Sequence, residues 1–188
     1  MSVERIKRAA VTIALALCVP LSSCDDGVSR YTNEYECTFV FYTYLHSTSI
    51  LTRVLDNPGL YVRVEITKSL GIYHILVYPN DGSDEEDIAL TTALENELDY
   101  DNVGANQSII IGCSTSLENL AYDAQCPYCL ETYTGTSYPL SFSGNGQSVT
   151  CANCDRSYTL SYGASDDGYR LLEYKVSVGS TTLVVRNG

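Results

Sequence analysis

Tryptophan is absent from this chain of 188 residues, methionine occurs once, histidine twice and phenylalanine three times. Lysine and arginine together number 11 against 23 aspartates and glutamates, a formal net charge of −12. With so few cations the chain has no electrostatic grip on a phosphate backbone, and nucleic-acid binding is excluded. The same shortage excludes a polybasic membrane patch. The histidines, His46 and His74, lie in strand-like segments with no carboxylate arrangement that suits non-haem iron, so oxygenase chemistry is excluded. No set of nucleophile, base and orienting group can be read either, and no enzyme is expected. Long repeats and low-complexity tracts are also missing.

What is present begins with a targeting pattern. Arg5, Lys7 and Arg8 precede an apolar run at 9–17, which is far shorter than the roughly 20 residues of a membrane-spanning helix. That is the anatomy of a secretory signal peptide. The segment LSSC at 21–24 resembles the bacterial lipobox, which implies cleavage after residue 23 and acylation of Cys24. The alternative is ordinary signal cleavage near Ser23 with Cys24 a free thiol. The expected organisation is a signal peptide at 1–23, a lipidated polar tether at 24–35 and a single domain at 36–188. The chain is then a lipoprotein of a bacterial cell envelope, held at the membrane by its acyl anchor. The outer membrane or cell surface is favoured over the inner membrane.

Period-two alternation dominates the rest. LYVRVEI at 60–66 sets Leu60, Val62, Val64 and Ile66 on one face and Tyr61, Arg63 and Glu65 on the other. SYTLSY at 157–162 and LEYKVSV at 172–178 alternate in the same way, as half-buried strands do. TFVFYTYL at 38–45, IYHILVY at 72–78, SIIIG at 108–112 and TTLVV at 181–185 are more continuously apolar and fit inner strands. Turn residues separate them at DNPG (56–59), PNDG (79–82), SGNG (143–146) and SDDG (165–168). The fold class is all-β, a sandwich or small barrel. One segment differs. Residues 83–101 are acidic with no base, and Ser83 precedes Glu86 at capping-box spacing, so a short helix in a solvated insertion is the expectation.

Two Cys-x-x-Cys pairs carry the chemistry, CPYC at 126–129 and CANC at 151–154. CPYC as a string is the glutaredoxin active site. Thiol catalysis needs that string to open a helix in a βαβ unit, and no helical period follows it here. Disulfides are permitted in an exported protein. They do not account for the doubled x-x spacing, whereas metal binding does. Each tight turn presents two thiolates, and two turns complete a tetrahedral four-sulfur shell from Cys126, Cys129, Cys151 and Cys154. For Cys37 and Cys113, on two expected strands, a bridge and two separate buried thiols stand as alternatives.

NLAYDAQCPYC, a Gly-rich loop, GQSVTCANCDRSYTLSYGA and LLEYKVSVGSTTLVV together resemble the Rieske iron–sulfur domain in order and pattern. The likeness spans roughly 60–188, with a metal-binding subdomain at about 119–162. It extends to bacterial lipoproteins that carry this fold with Cys pairs in place of the Cys/His pairs. The resemblance implies a Rieske-like β domain in which Cys126 and Cys151 match the family's two Cys ligands. Cys154 then stands where a His would be, and Cys129 one place beyond the other. Without those imidazoles a high-potential cluster is not supported. The pairs also depart from rubredoxin knuckles, which favour Gly after the second Cys. Leu130 and Asp155 stand there, and Asp tolerates left-handed backbone better than Leu.

The n-region holds no twin-Arg pair, so the signal is one for export of an unfolded chain, which cannot carry a cluster assembled beforehand. Zinc needs no assembly machinery and is the expected cofactor, in a structural and non-enzymatic role. A 2Fe–2S cluster or a single iron, in an electron-transfer protein, is the alternative. A surface adhesion or ligand-binding module with an envelope partner is the third reading, for which sixteen tyrosines offer surface.

Overall fold

A computed structural model describes residues 29–135 and 137–188. The signal peptide and Cys24 expected from the sequence lie outside the described residues. The architecture is all-β. A curled eight-stranded antiparallel sheet runs in the order β1 (Thr38–Phe41), β12 (Leu183–Arg186), β11 (Glu173–Val178), β6 (Asn119–Asp123), β5 (Ser108–Cys113), β2 (Tyr61–Ser69), β3 (Ile72–Pro79) and β4 (Glu86–Ala89). A second sheet of four short strands runs β10 (Ala164–Ser165), β9 (Ser157–Thr159), β8 (Ser148–Cys151) and β7 (Leu140–Ser143). All four lie in sequence between β6 and β11, which are neighbours in the large sheet. The small sheet is therefore an insertion folded back over its host.

Side chains alternate along each strand, so one sheet serves two cores. Val62, Val64, Ile109, Ile111 and Ala121 face an aliphatic core closed by Phe39, Phe41, Leu183, Val185 and helix α1 (Ile50–Arg53). On the opposite face, Tyr61, Ile110, Leu120 and Tyr122 meet Leu140, Val149, Tyr158 and Leu160 of the inserted segment. Every residue of β5 is buried, as its unbroken apolar run foretold. Tyr61, expected on the outer face, is buried because the small sheet covers it. Its ring lies on Gly112, its cross-strand partner, where an added Cβ would come within 1.9 Å of the ring.

Three local expectations change. The run at 38–45 is strand only as far as Phe41, after which the chain turns into α1. Ser49 caps that helix by accepting from the Leu51 N–H at 3.1 Å. Glu86 does not close a capping box with Ser83. It lies on edge strand β4, accepts from the Ile50 N–H at 2.8 Å and the Ser49 hydroxyl at 2.6 Å, and so caps α1 from across the chain. The acidic stretch is an edge strand followed by a 3-10 turn at Glu95–Glu97.

Strand β1 pairs with β12, and the chain before it is tied to the residue after β12. The Asn187 side chain accepts from the Cys37 N–H at 2.8 Å and donates to the carbonyls of Thr32 and Tyr35 at 2.9 and 2.8 Å.

Candidate metal centre

Cys126 ends the segment leading from β6 and caps helix α2 (Pro127–Thr132), with Pro127 in its first turn, where a missing N–H costs nothing. Cys129 sits one turn on. Cys151 ends β8, and a tight turn carries the chain to Cys154, closed by the Asp155 N–H donating to the Cys151 carbonyl at 2.9 Å. Asp155 adopts φ +58, the left-handed geometry that Asp accommodates. Leu130 avoids that geometry by lying inside α2, so the two loops differ: one is a helix start, the other a knuckle.

The four Sγ atoms lie within 4.8 Å of one another. Cys126 and Cys154 are 3.7 Å apart, as are Cys129 and Cys151. A tetrahedron with metal–sulfur bonds near 2.3 Å has edges of about 3.8 Å, so this spacing suits one ion at the centre. A two-iron cluster would have to force the sulfur pairs apart to admit two irons and two sulfides. All four are free thiols, with Cys126, Cys129 and Cys151 buried and Cys154 partly exposed. The donor set, its burial and its spacing fit a single thiophilic cation.

Donors from within and beyond the second loop surround the sulfurs. The Tyr158 hydroxyl lies 3.4 Å from Cys126 Sγ, and Asn153 Nδ2 lies 3.4 Å from Cys129 Sγ. The Arg156 guanidinium stacks 3.4 Å from the centre of the Tyr128 ring, bonds Asp167 at 2.8 Å and approaches Cys154. Sequence reasoning missed this surround; the sole clue was polar and basic residues spaced closely around CANC.

Burial pushes the Cys126 thiol well up and the Cys129 thiol up to about 11. For Cys154 burial works the same way, but the Arg156 N–H and the neighbouring thiols outweigh it and hold the group below the ordinary thiol value. Bound metal must therefore displace protons, which ties loading to pH. Helix α2 does open at Cys126, directly after a strand, contrary to the sequence reading. Even so, a buried thiol pushed upward is the reverse of an activated nucleophile.

At the end of β6, an Asx turn orients the first loop. Buried Asp123 accepts from the Gln125 and Ala105 N–H groups at 2.8 and 2.7 Å and from the Tyr174 hydroxyl at 2.8 Å. Cys37 and Cys113 are separate buried thiols, not a bridge. They lie on or beside β1 and β5, with three strands between them in the sheet, farther apart than a disulfide allows. The histidines each meet one carboxylate, His46 with Glu95 at 2.6 Å and His74 with Asp87 at 2.8 Å. Neither joins the four cysteines in the cluster.

No known family model, curated protein or solved structure matches this chain.

Proposed function

We propose that the protein is a cell-envelope lipoprotein, anchored through Cys24, in which one zinc ion on Cys126, Cys129, Cys151 and Cys154 clamps the inserted sheet and catalyses nothing. The observation that carries the metal reading is the 3.7 Å spacing of buried sulfurs, matched to a single tetrahedral ion. The anchor reading rests on the charged n-region, the short apolar run and LSSC. A Rieske-like ancestry is supported by the order of elements: two metal loops on a small sheet inserted between neighbouring strands of a larger one. Zinc is favoured over iron because the signal is one for an unfolded chain, and zinc loads without machinery.

Metal analysis of protein purified from its native envelope tests this, with about one zinc per chain, no visible absorption and no reversible redox couple expected. Brown protein with stoichiometric iron and sulfide would instead make it an electron carrier. For the anchor, Cys24→Ala should leave an uncleaved or soluble precursor. If that variant partitions into detergent like the parent, with the same N-terminus, the anchor is elsewhere.

A further inference from the structure

We propose that Cys154 is the point at which a hydroperoxide enters the four-sulfur cluster, and that Cys126 then closes a disulfide across the two loops. The inference rests on the metal-site reading above, but its connectivity follows from sulfur positions whichever ion they hold.

Access selects the first sulfur. Cys126 and Cys129 are 0% exposed and Cys151 is 1% exposed, so an oxidant in solvent meets Cys154, the one partly exposed member. Cys37 and Cys113 are each 1% exposed and are not competitors. Geometry selects the second sulfur. Cys126 Sγ stands 3.7 Å from Cys154 Sγ, and the remaining two sulfurs, Cys129 and Cys151, form an equivalent pair at 3.7 Å.

The close sulfur contacts run between the loops, Cys126 to Cys154 and Cys129 to Cys151, while the backbone closes each loop on itself. In the first loop the Leu130 N–H donates to the Cys126 carbonyl and the Tyr133 N–H to the Cys129 carbonyl, both at 3.0 Å. In the second, Asp155 closes on Cys151 at 2.9 Å. A bond between loops follows these 3.7 Å contacts and leaves both turns in place.

The chemistry balances. The Cys154 thiolate attacks one peroxide oxygen, the O–O bond breaks, and hydroxide leaves as Cys154 becomes a sulfenic acid. Cys126, deprotonated as a metal ligand must be despite its burial, then attacks Cys154 Sγ, the S–S bond forms, the S–O bond breaks and a second hydroxide leaves. The two hydroxides take up protons as water. Two sulfurs have lost two electrons to one peroxide, and an ion held by the cluster would keep only the Cys129 and Cys151 thiolates and be lost. A second peroxide can join Cys129 to Cys151 in the same way. The loops are then held together covalently where the ion held them before.

The test uses the full chain, purified under reducing conditions and with its metal content measured first. Limiting hydrogen peroxide is added with a sulfenic-acid-trapping dione, and parallel samples are alkylated and mapped by mass spectrometry. We expect dione on Cys154 in about tenfold excess over the other three sulfurs. Without dione we expect a Cys126–Cys154 linked peptide as the first bridge, with the chain's single ion freed as that bridge forms. First labelling on Cys126, Cys129 or Cys151, a first bridge within either loop, or no cysteine oxidation before the fold is lost would each overturn the proposal. A chain purified without metal would sink the zinc reading but leave the first label and the first bridge readable.

Discussion

Among the described residues, the core beneath the eight-stranded sheet holds 22 buried residues, of which Cys37 alone carries sulfur. The core between the two sheets holds 13, and three of them are cysteines of the candidate metal centre. The larger region buries long strands against a helix and closes on aliphatic and aromatic packing. The smaller has strands of two to four residues and shares its apolar contacts with its host. The smaller region fills three of its thirteen buried positions with cysteine, where the larger uses aliphatic and aromatic side chains almost throughout. The difference teaches where sulfur replaces hydrocarbon: in the region built of the shortest strands, at the four-cysteine cluster.

The largest expected effect breaks that comparison directly. Stripping the metal with a chelator, or replacing Cys129 with Ser, should cost more than about 4 kcal/mol, because the remaining ligands lose their centre. Hydrogen exchange should show amides of 124–171 losing protection while β2, β3 and β5 keep theirs. Loss of protection everywhere at once would mean that the two regions form one cooperative unit.

Next in size is Ile75→Ala, in the aliphatic core. It should lower stability by about 3 kcal/mol in chemical denaturation while leaving metal content unchanged. Gly112→Ala sharpens the boundary between the cores, since its methyl would collide with the Tyr61 ring. A cost of about 2 kcal/mol is expected from denaturation, and its combination with Tyr61→Ala should be strongly non-additive.

The smallest effect is confined to acid. Glu95 is buried, which disfavours its charged form, yet hydrogen bonds from His46 and Thr92 outweigh that and hold its carboxyl below the ordinary value. The unfolded chain then binds the proton more readily than the folded one. Its contribution is present above the unfolded pKa and is lost as pH falls through the folded value. The stability gap between parent and Glu95→Gln should therefore narrow below about pH 4 and stay level above it, as read by thermal melts.

Much of this was legible in the chain. The alternation in LYVRVEI and the unbroken run SIIIG reported β2 and β5, because periodicity records which faces a strand buries. The doubled Cys-x-x-Cys reported the cluster. Legibility failed where the answer depended on a distant segment. Tyr61 is buried by a sheet that follows it by some 80 residues, and Glu86 serves a helix 36 residues before it. Helix α2 is six residues long, too short to leave a period. Tyr158 and Arg156 reach the sulfurs through the fold, and Asn153, though inside CANC, donates across to Cys129 of the other loop, which no spacing rule announces.

The pairing of β1 with β12 governs when this molecule can finish folding. Cys37 hands its N–H to a side chain 150 residues later, and the strand that follows Cys37 has no sheet partner until that part of the chain exists. Closing so long a loop is among the slow steps of β proteins. A chain emerging from synthesis thus carries its first strand without its sheet neighbour until nearly the last residues are made.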